Sequence, residues 1–224
     1  MSGRAVVILF ALAAIGALAV ALRVVPARDA AEAGSRAWIA ARGAGVVGFL
    51  LLTGQTLLGL IMSHPTNLSR WKLSRHLFPW HEDLAVFTAA FLALHVVALV
   101  LDPFAQVGVL GALVPGLSGY RPVPIALGVL ALDALIVTAV TARYTRLLPP
   151  GIWLRIHRLA AVAWFGVWIH GVTAGTDGAR LLPMYLVSGG LVLGLAVNRH
   201  WTIRRRATAP ARPFAPQPAL EEVA

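Results

Sequence analysis

The sequence predicts an all-α integral membrane protein in which six transmembrane helices form a bundle. Of its 224 residues, 58% are hydrophobic and only 12% are charged, about half the charged fraction of an ordinary soluble domain. The apolar residues fall into long uncharged stretches, and the charged residues separate them. Lysine and arginine outnumber aspartate and glutamate by 19 to 9, which is typical of the cytoplasmic loops of membrane proteins. This composition excludes a soluble enzyme, and no nucleic-acid partner is needed to explain the positive charge.

Uncharged stretches mark the predicted spans. Eighteen uncharged residues separate Arg4 from Arg23, and stretches of similar length recur along the chain. Each is close to the ~20 residues that a helix needs to cross ~30 Å of hydrocarbon. One stretch is interrupted only by Asp133, a carboxyl near mid-bilayer that is a candidate for proton relay or for structural hydrogen bonding. The predicted spans are 5–24, 40–62, 82–101, 122–142, 157–175 and 182–199.

Local signals place the ends of the third span and the loop after it. Pro79 precedes the span, and Glu82 and Asp83 lie in its predicted first turn, where the helix dipole favours negative charge. Residues 103–120 contain two prolines and four glycines, which predicts a long loop. We therefore divide the chain into an N-terminal helix with its outer loop (1–36), a membrane core (37–200) and a disordered cytoplasmic tail (201–224).

The distribution of lysine and arginine predicts the orientation. With the N-terminus inside, 13 of these residues fall on the inner side and 6 on the outer side. Positive residues are enriched in cytoplasmic loops. We therefore expect a protein of the cell (plasma) membrane with both termini in the cytoplasm.

Histidines are the candidate metal ligands, because the chain has no cysteine and so lacks disulfides, thiolate sites and c-type haem attachment. His81 and His95 lie 14 residues apart on the third span, and His157 and His170 lie 13 apart on the fifth. The two spans run in the same direction, so His81 is level with His157 and His95 with His170. At 1.5 Å per residue the levels are roughly 20 Å apart. This arrangement suits two stacked b-type haems, each held by one histidine from each helix.

The helical phase of the second pair leaves the number of haems open. Fourteen residues bring His81 and His95 to nearly the same helix face, whereas thirteen leave His157 and His170 roughly 140° apart. Either the fifth helix bends, with Gly166 as the expected position, or the two histidines approach their haems from different sides. One haem or two remain compatible with the sequence.

The sequence around these histidines resembles the ferric reductase-like transmembrane domain. That domain is shared by ferric reductases, NADPH oxidases and the small haem subunit of the bacterial methionine sulfoxide reductase system. The resemblance covers about residues 37–200 and is carried by WHEDLAVFTAAFLALHVVALVLDP and LRIHRLAAVAWFGVWIHGVTAGTD. It implies six helices and haem b, one or two per chain, ligated by His81, His95, His157 and His170. About 25 residues follow the last predicted span, too few for the flavin domain of larger members.

The resemblance also implies a function that depends on partners. We expect electrons from a cytoplasmic flavoprotein or a quinone to cross the bilayer to an external acceptor, with any flavin supplied by a partner or bound at the membrane surface. Arg158 is the candidate cation for a haem propionate. His64, His76 and His200 are expected to be interfacial. The alternatives are a cytochrome b561-like quinol oxidoreductase, and a non-redox small transporter or assembly protein.

Overall fold

The described part of the chain is helical throughout its regular elements. The computed structural model describes residues 30–66, 70–102, 105 and 107–208, and positions 5, 8, 12 and 16 near the N-terminus. The predicted first span therefore lies almost wholly outside the described residues, as does the tail beyond 208. The regular elements in chain order are α1 (Ala30–Met62), α2 (Arg70–Leu101), α3 (Gly108–Leu113), α4 (Pro122–Arg143), a 3-10 turn (Thr145–Leu147), α5 (Ile152–His157), α6 (Leu159–Ala174) and α7 (Gly178–Ala207).

Five helical stretches of the described residues are long and apolar enough to cross a bilayer. They are Gly34–Met62, Leu73–Leu101, Pro122–Arg143, Ile152–Ala174 and Gly178–Ala207. These stretches correspond to the second through sixth predicted spans, and they support the expectation of an all-α integral membrane protein.

The helices pack as two pairs joined by α7. Helix α1 lies along α2, α4 lies along α6, and α7 contacts both α1 and α6. The fully buried Trp164 lies at the centre, stacked on Phe49 with ring centroids 6.3 Å apart. Its Nε1–H donates to Thr53 Oγ1 at 3.0 Å, and that hydroxyl donates to the carbonyl of Phe49 at 2.8 Å. Polar groups in a bilayer need such internal partners, because no water reaches them.

Loop contacts define the two ends of the bundle. The upper end carries the 102–121 and 175–177 connections, and the lower end carries 63–66 and 144–151. At the lower end, Arg199 Nε donates to the carbonyl of Ser63 at 3.2 Å. At the upper end, Arg121 donates to the carbonyl of Thr173 at 2.8 Å. Helices α2 and α6 both run from the lower end to the upper end.

Helix α2 begins at Arg70, so the start predicted near residue 82 was wrong. Pro79 lies inside the helix. A proline there removes one backbone hydrogen bond, but this position is near the lower end, where water can satisfy the freed carbonyl. Phe78 and Trp80 are 51% and 68% exposed beside it, the amphipathic placement typical of aromatic residues at a membrane interface.

Other boundaries also differ from the predicted ones. Helix α1 begins ten residues before the predicted span, so residues 30–36 are helical rather than part of an outer loop. The predicted loop 103–120 contains the short helix α3. Helix α7 continues to Ala207, so residues 201–207 extend the helix rather than begin a disordered tail. Charged residues indicate where a helix passes from the hydrocarbon core of the bilayer into water. The helix itself can continue beyond that point.

Candidate functional site

The upper histidine pair faces across the space between α2 and α6. The imidazole rings of His95 and His170 have centroids 6.4 Å apart and planes 82° from parallel. His95 Nδ1 donates to the carbonyl of Ala41 at 2.6 Å, and His170 Nδ1 donates to the carbonyl of Pro124 at 2.8 Å. Each ring is therefore held by a helix other than its own.

These bonds determine which nitrogen can bind a metal. A carbonyl oxygen only accepts hydrogen bonds, so Nδ1 of each ring carries the proton. In a neutral imidazole, Nε2 then keeps the lone pair that binds a metal, and an Nδ1–H to carbonyl bond is the usual support of a ligating histidine. Nε2 is thus the nitrogen that remains available for a metal in both His95 and His170.

The lower pair repeats this arrangement with one difference. His81 and His157 have ring centroids 6.1 Å apart and planes 72° from parallel. His81 Nδ1 donates to the carbonyl of Gln55 at 3.0 Å. Nδ1 of His157 is buried and has no hydrogen-bond partner among the residues that the structure describes. Trp153, one helical turn earlier, packs beside the His157 ring at 6.0 Å between centroids.

A glycine stands four residues after each carbonyl that accepts from a histidine. The carbonyls of Ala41, Gln55 and Pro124 are followed by Gly45, Gly59 and Gly128. A Cβ added at Gly45 would lie 2.8 Å from His95 Nδ1, and one at Gly128 would lie 2.7 Å from His170 Nδ1. At Gly59 the nearest atom, His81 Cε1, would be 3.5 Å away. The glycines therefore let an imidazole lie directly against the backbone of the facing helix.

The positions one such interval further along α4 differ from Pro124 and Gly128. Fourteen residues after Pro124 and Gly128 stand Thr138 and Ala142. Ala142 carries the Cβ that the glycines lack, and the carbonyl of Thr138 already accepts from Thr141 Oγ1 at 3.2 Å. Among the described residues, His157 is thus the one member of the two pairs whose Nδ1 has no carbonyl partner.

The ring separations fit a haem between each pair. Two imidazole nitrogens that each lie ~2 Å from one metal place their ring centroids roughly 6 Å apart, close to both separations observed. Among the described residues, no group of three or more histidine, aspartate or glutamate side chains could hold a metal ion. Paired histidines are instead the donor set that haem takes, because the macrocycle supplies the remaining ligands.

An apolar pocket surrounds the upper pair. Trp38 and Tyr120 line it and meet edge to face with ring centroids 5.8 Å apart. Arg42 and Asp177 also line the pocket and form an ion pair between α1 and the connection to α7. The pocket therefore combines an apolar interior with a charged mouth, as cofactor sites commonly do.

A comparison with known protein families agrees with this arrangement of histidines and apolar spans. The sequence model described as ferric reductase like transmembrane component matches residues 44–168, more than half of the chain. The chain belongs to this family. No curated protein and no solved structure matches the chain. The matched region of this ferric reductase-like chain contains His81, His95 and His157 and ends two residues before His170.

The remaining residues singled out in the sequence are Arg158, which directly follows His157, and four others outside the two pairs. Arg158 is exposed at the break between α5 and α6. His64 Nε2 donates to Asn198 Oδ1 at 2.9 Å, and its Nδ1 accepts from Thr66 Oγ1 at 2.6 Å. His76 accepts from the neighbouring Arg75 Nε at 3.1 Å. His200 and Asp133 are exposed, the latter in the middle of α4.

Sequence reasoning missed the residues that support the histidines. Arg42 was counted only among the six outer lysines and arginines that predict the orientation. The glycines carried a usable signal, because Gly45 and Gly59 are 14 residues apart, the same separation as His81 and His95. On two antiparallel helices, matched separations bring both glycines opposite both histidines.

Proposed function

We propose that this ferric reductase-like chain is a b-type haem protein that carries electrons across the membrane. His95 and His170 would hold an upper haem, and His81 and His157 a lower one. The observation that carries the proposal is the pairing of four histidines at two levels with nearly equal ring separations, 6.4 and 6.1 Å. Membership of the family supports a role in transmembrane electron transfer.

The chain's contribution is to fix its ligands before the cofactor arrives. The carbonyls of Ala41, Pro124 and Gln55 hold their histidines in one tautomer with Nε2 free. Haem iron with two axial imidazoles supplies a one-electron couple. Because three of the four rings are anchored to the helix backbone, the protein around the couple would need little rearrangement when charge changes.

Buried aromatic rings occupy the region between the two levels. Trp164 lies seven residues after His157 and six before His170, and its ring packs on Phe49. The Trp164 Nε1–H is satisfied by Thr53. This packing excludes water and provides a continuous low-dielectric medium between the proposed sites.

Cationic side chains near each level are the proposed partners of the haem propionates. Arg158 is exposed next to His157 at the lower end, and Arg42 lines the upper pocket. Arginine suits this role because its planar guanidinium binds carboxylates through two parallel hydrogen bonds.

The charge distribution gives the proposed direction of transfer. Among the described residues, 11 lysines and arginines belong to the lower end and 4 to the upper end, and the positive-inside rule therefore favours a cytoplasmic lower end in the cell membrane. Electrons would enter the lower site from a cytoplasmic flavoprotein or a membrane quinone. They would leave the upper site to an external acceptor, and any flavin would belong to the partner or bind at the membrane surface.

Haem content measured with single histidine variants tests the proposal. Purified protein should show the Soret band and the reduced-minus-oxidised spectrum of bis-histidine haem b, with about two haems per chain by pyridine haemochrome. His95→Ala and His170→Ala should each remove the same haem, and His81→Ala and His157→Ala the other. His200→Ala, on an exposed residue, is the control and should keep both haems.

Three results would contradict this assignment. Protein without Soret absorbance would favour the non-redox alternatives. Loss of different haems in the His95→Ala and His170→Ala variants would favour a different pairing, such as that of a cytochrome b561-like protein. Unchanged haem content in all four variants would remove these histidines as ligands.

A further inference from the structure

A carboxyl lies on the outward face of α4 at its midpoint. Asp133 is the twelfth of the 22 residues from Pro122 to Arg143, and its side chain is exposed. It lines neither histidine pair. An ionisable group at this depth requires a hydrogen-bond partner, because hydrocarbon supplies none. The position therefore needs cover from protein that lies against this face of α4.

The residues around Asp133 form a seam with a heptad repeat. Val123, Leu130 and Val137 are seven residues apart, and they are 72%, 54% and 47% exposed. Asp133 and Val140 follow at the alternate spacing of three and four, and Val140 is 50% exposed. This is the a/d pattern of a helix that packs against another helix. We name these five residues the α4 seam.

The N-terminal segment of the chain does not match this seam chemically. Residues 5–22 consist entirely of alanine, valine, isoleucine, leucine, phenylalanine and glycine. None of these side chains can donate a hydrogen bond to a carboxyl. A helix of that composition would cover the aliphatic residues of the seam and leave Asp133 without a partner.

A second copy of the chain matches the seam in depth and in hydrogen bonding. In a two-fold dimer whose axis is normal to the membrane, residues near the axis face their own counterparts at the same depth. A carboxylic acid both donates and accepts, so two Asp133 side chains can complete each other's hydrogen bonds. A single polar residue in an apolar heptad seam is also the arrangement that sets register and oligomeric state. We propose that the α4 seam is a homodimer interface centred on Asp133.

Disulfide trapping in native membranes tests this proposal, because the chain has no cysteine of its own. In the full-length protein, Val137→Cys and Leu130→Cys should each give a disulfide-linked dimer on mild oxidation. Leu193→Cys is the matched control, since Leu193 is 47% exposed on a different span, α7. We expect at least fivefold more dimer from the seam positions than from the control.

Substitution of Asp133 separates hydrogen bonding from chance proximity. In the Val137→Cys background, Asp133→Leu should lower the dimer yield at least fivefold. Asp133→Asn should keep at least half of it, because two carboxamides can also pair. Haem content of each variant reports whether the monomer has folded. If Asp133→Leu fails to fold, the Asn variant and the cysteine pair still test the interface.

The other occupants give distinguishable results, and each would overturn the proposal. Dimer from Val137→Cys no greater than from Leu193→Cys would show that two copies do not meet at the seam. An internal disulfide between Val137→Cys and a cysteine placed in 5–22 would assign the seam to the chain's own segment. A mixed disulfide with a different protein would assign it to another partner. A dimer yield unaffected by Asp133→Leu would remove the carboxyl from the interface.

Discussion

At the scale of single residues, three of the four paired histidines are held by backbone carbonyls of a facing helix. These carbonyls are accessible from the side of that helix. In an α-helix the carbonyl of residue i bonds the N–H of residue i+4, and the Cβ of that later residue shields the carbonyl from the side. Glycine at i+4 removes the shield, so the carbonyl can accept a second bond from an imidazole. This occurs at Gly45, Gly59 and Gly128. A glycine inside these helices thus lowers the intrinsic stability of the helix, but it allows a backbone carbonyl to accept a hydrogen bond from a histidine.

Gly128→Ala tests this use of glycine. The added Cβ would lie 2.7 Å from His170 Nδ1, so the imidazole must move and lose its bond to the carbonyl of Pro124. We expect the haem content to fall by about half, through loss of the upper haem. Alanine is favoured over glycine in a helix by roughly 0.5–1 kcal/mol, so weakened helix formation would not explain a loss.

Gly194→Ala is the matched control for this prediction. A Cβ at Gly194 would meet nothing within 4 Å, and the substitution is the same glycine to alanine in a membrane helix. It should keep full haem content by pyridine haemochrome. Full haem content in the Gly128→Ala variant would show that the upper site does not need the close approach.

At the scale of helices, the break at Arg158 changes the angular relation between His157 and His170. Thirteen residues of regular helix would leave the two side chains roughly 140° apart. Helix α5 ends at His157 and α6 begins at Leu159. Across the break, Ala161 N donates to the carbonyl of Arg158 at 3.2 Å, the i to i−3 bond of a 3-10 turn. Each such residue adds roughly 20° of rotation, so the break supplies only part of the roughly 140° that the pairing requires.

The spacing along α6 can be tested by inserting one alanine after Val162, which is 67% exposed. The insertion rotates His170 by about 100° relative to His157 and displaces it by about 1.5 Å. At least one pair must then lose its facing geometry, and haem per chain should fall to half or less. An alanine inserted after Pro149, in the exposed turn before α5, leaves this spacing unchanged and should keep the haem. Full haem content in the α6 insertion would contradict the pairing.

The sequence predicted the apolar spans and the levels of the histidines, but not the helix ends. Span lengths depend on hydrophobicity over about twenty residues, which is a strong and local signal. The bend was expected at Gly166 and occurs at Arg158 instead. Glycine lowers helix stability, but Gly166 lies in close contact with α4, where an added Cβ would be 3.3 Å from Ala131 Cβ. Tertiary packing of this kind has no pattern in a single sequence.

At the scale of the whole molecule, the two ends differ in charge and in packing. The upper end closes over its histidine pair through the 102–121 connection, from which Val107 and Tyr120 line the pocket. The lower end carries the exposed arginines of the α4–α5 connection and of the end of α7. The lower histidine pair is thus the one nearer to the exposed arginines, which agrees with the proposed entry of electrons at this end.

The orientation can be measured on the cysteine-free chain. Leu117 is 57% exposed in the upper connection, and Leu147 is 79% exposed in the lower one. In intact cells, a membrane-impermeant thiol reagent should label Leu117→Cys at least tenfold more than Leu147→Cys. After permeabilisation the two should label equally. The reverse pattern would place the upper end in the cytoplasm and invert the proposed direction of transfer.

The fourteen-residue separation on α1 and α2 makes the two sites interdependent during assembly. Histidines, glycines and accepting carbonyls all repeat at this interval. The supporting groups on α1 and the histidines on α2 are therefore equally spaced, so both histidines meet their carbonyls in one and the same alignment of the two helices. Sliding one helix by a turn, about 5.4 Å, would misplace both sites together, so neither site can be formed in a wrong alignment while the other is correct. Correct packing of α1 against α2 at one histidine level therefore also brings the groups at the other level, roughly 20 Å away, into register.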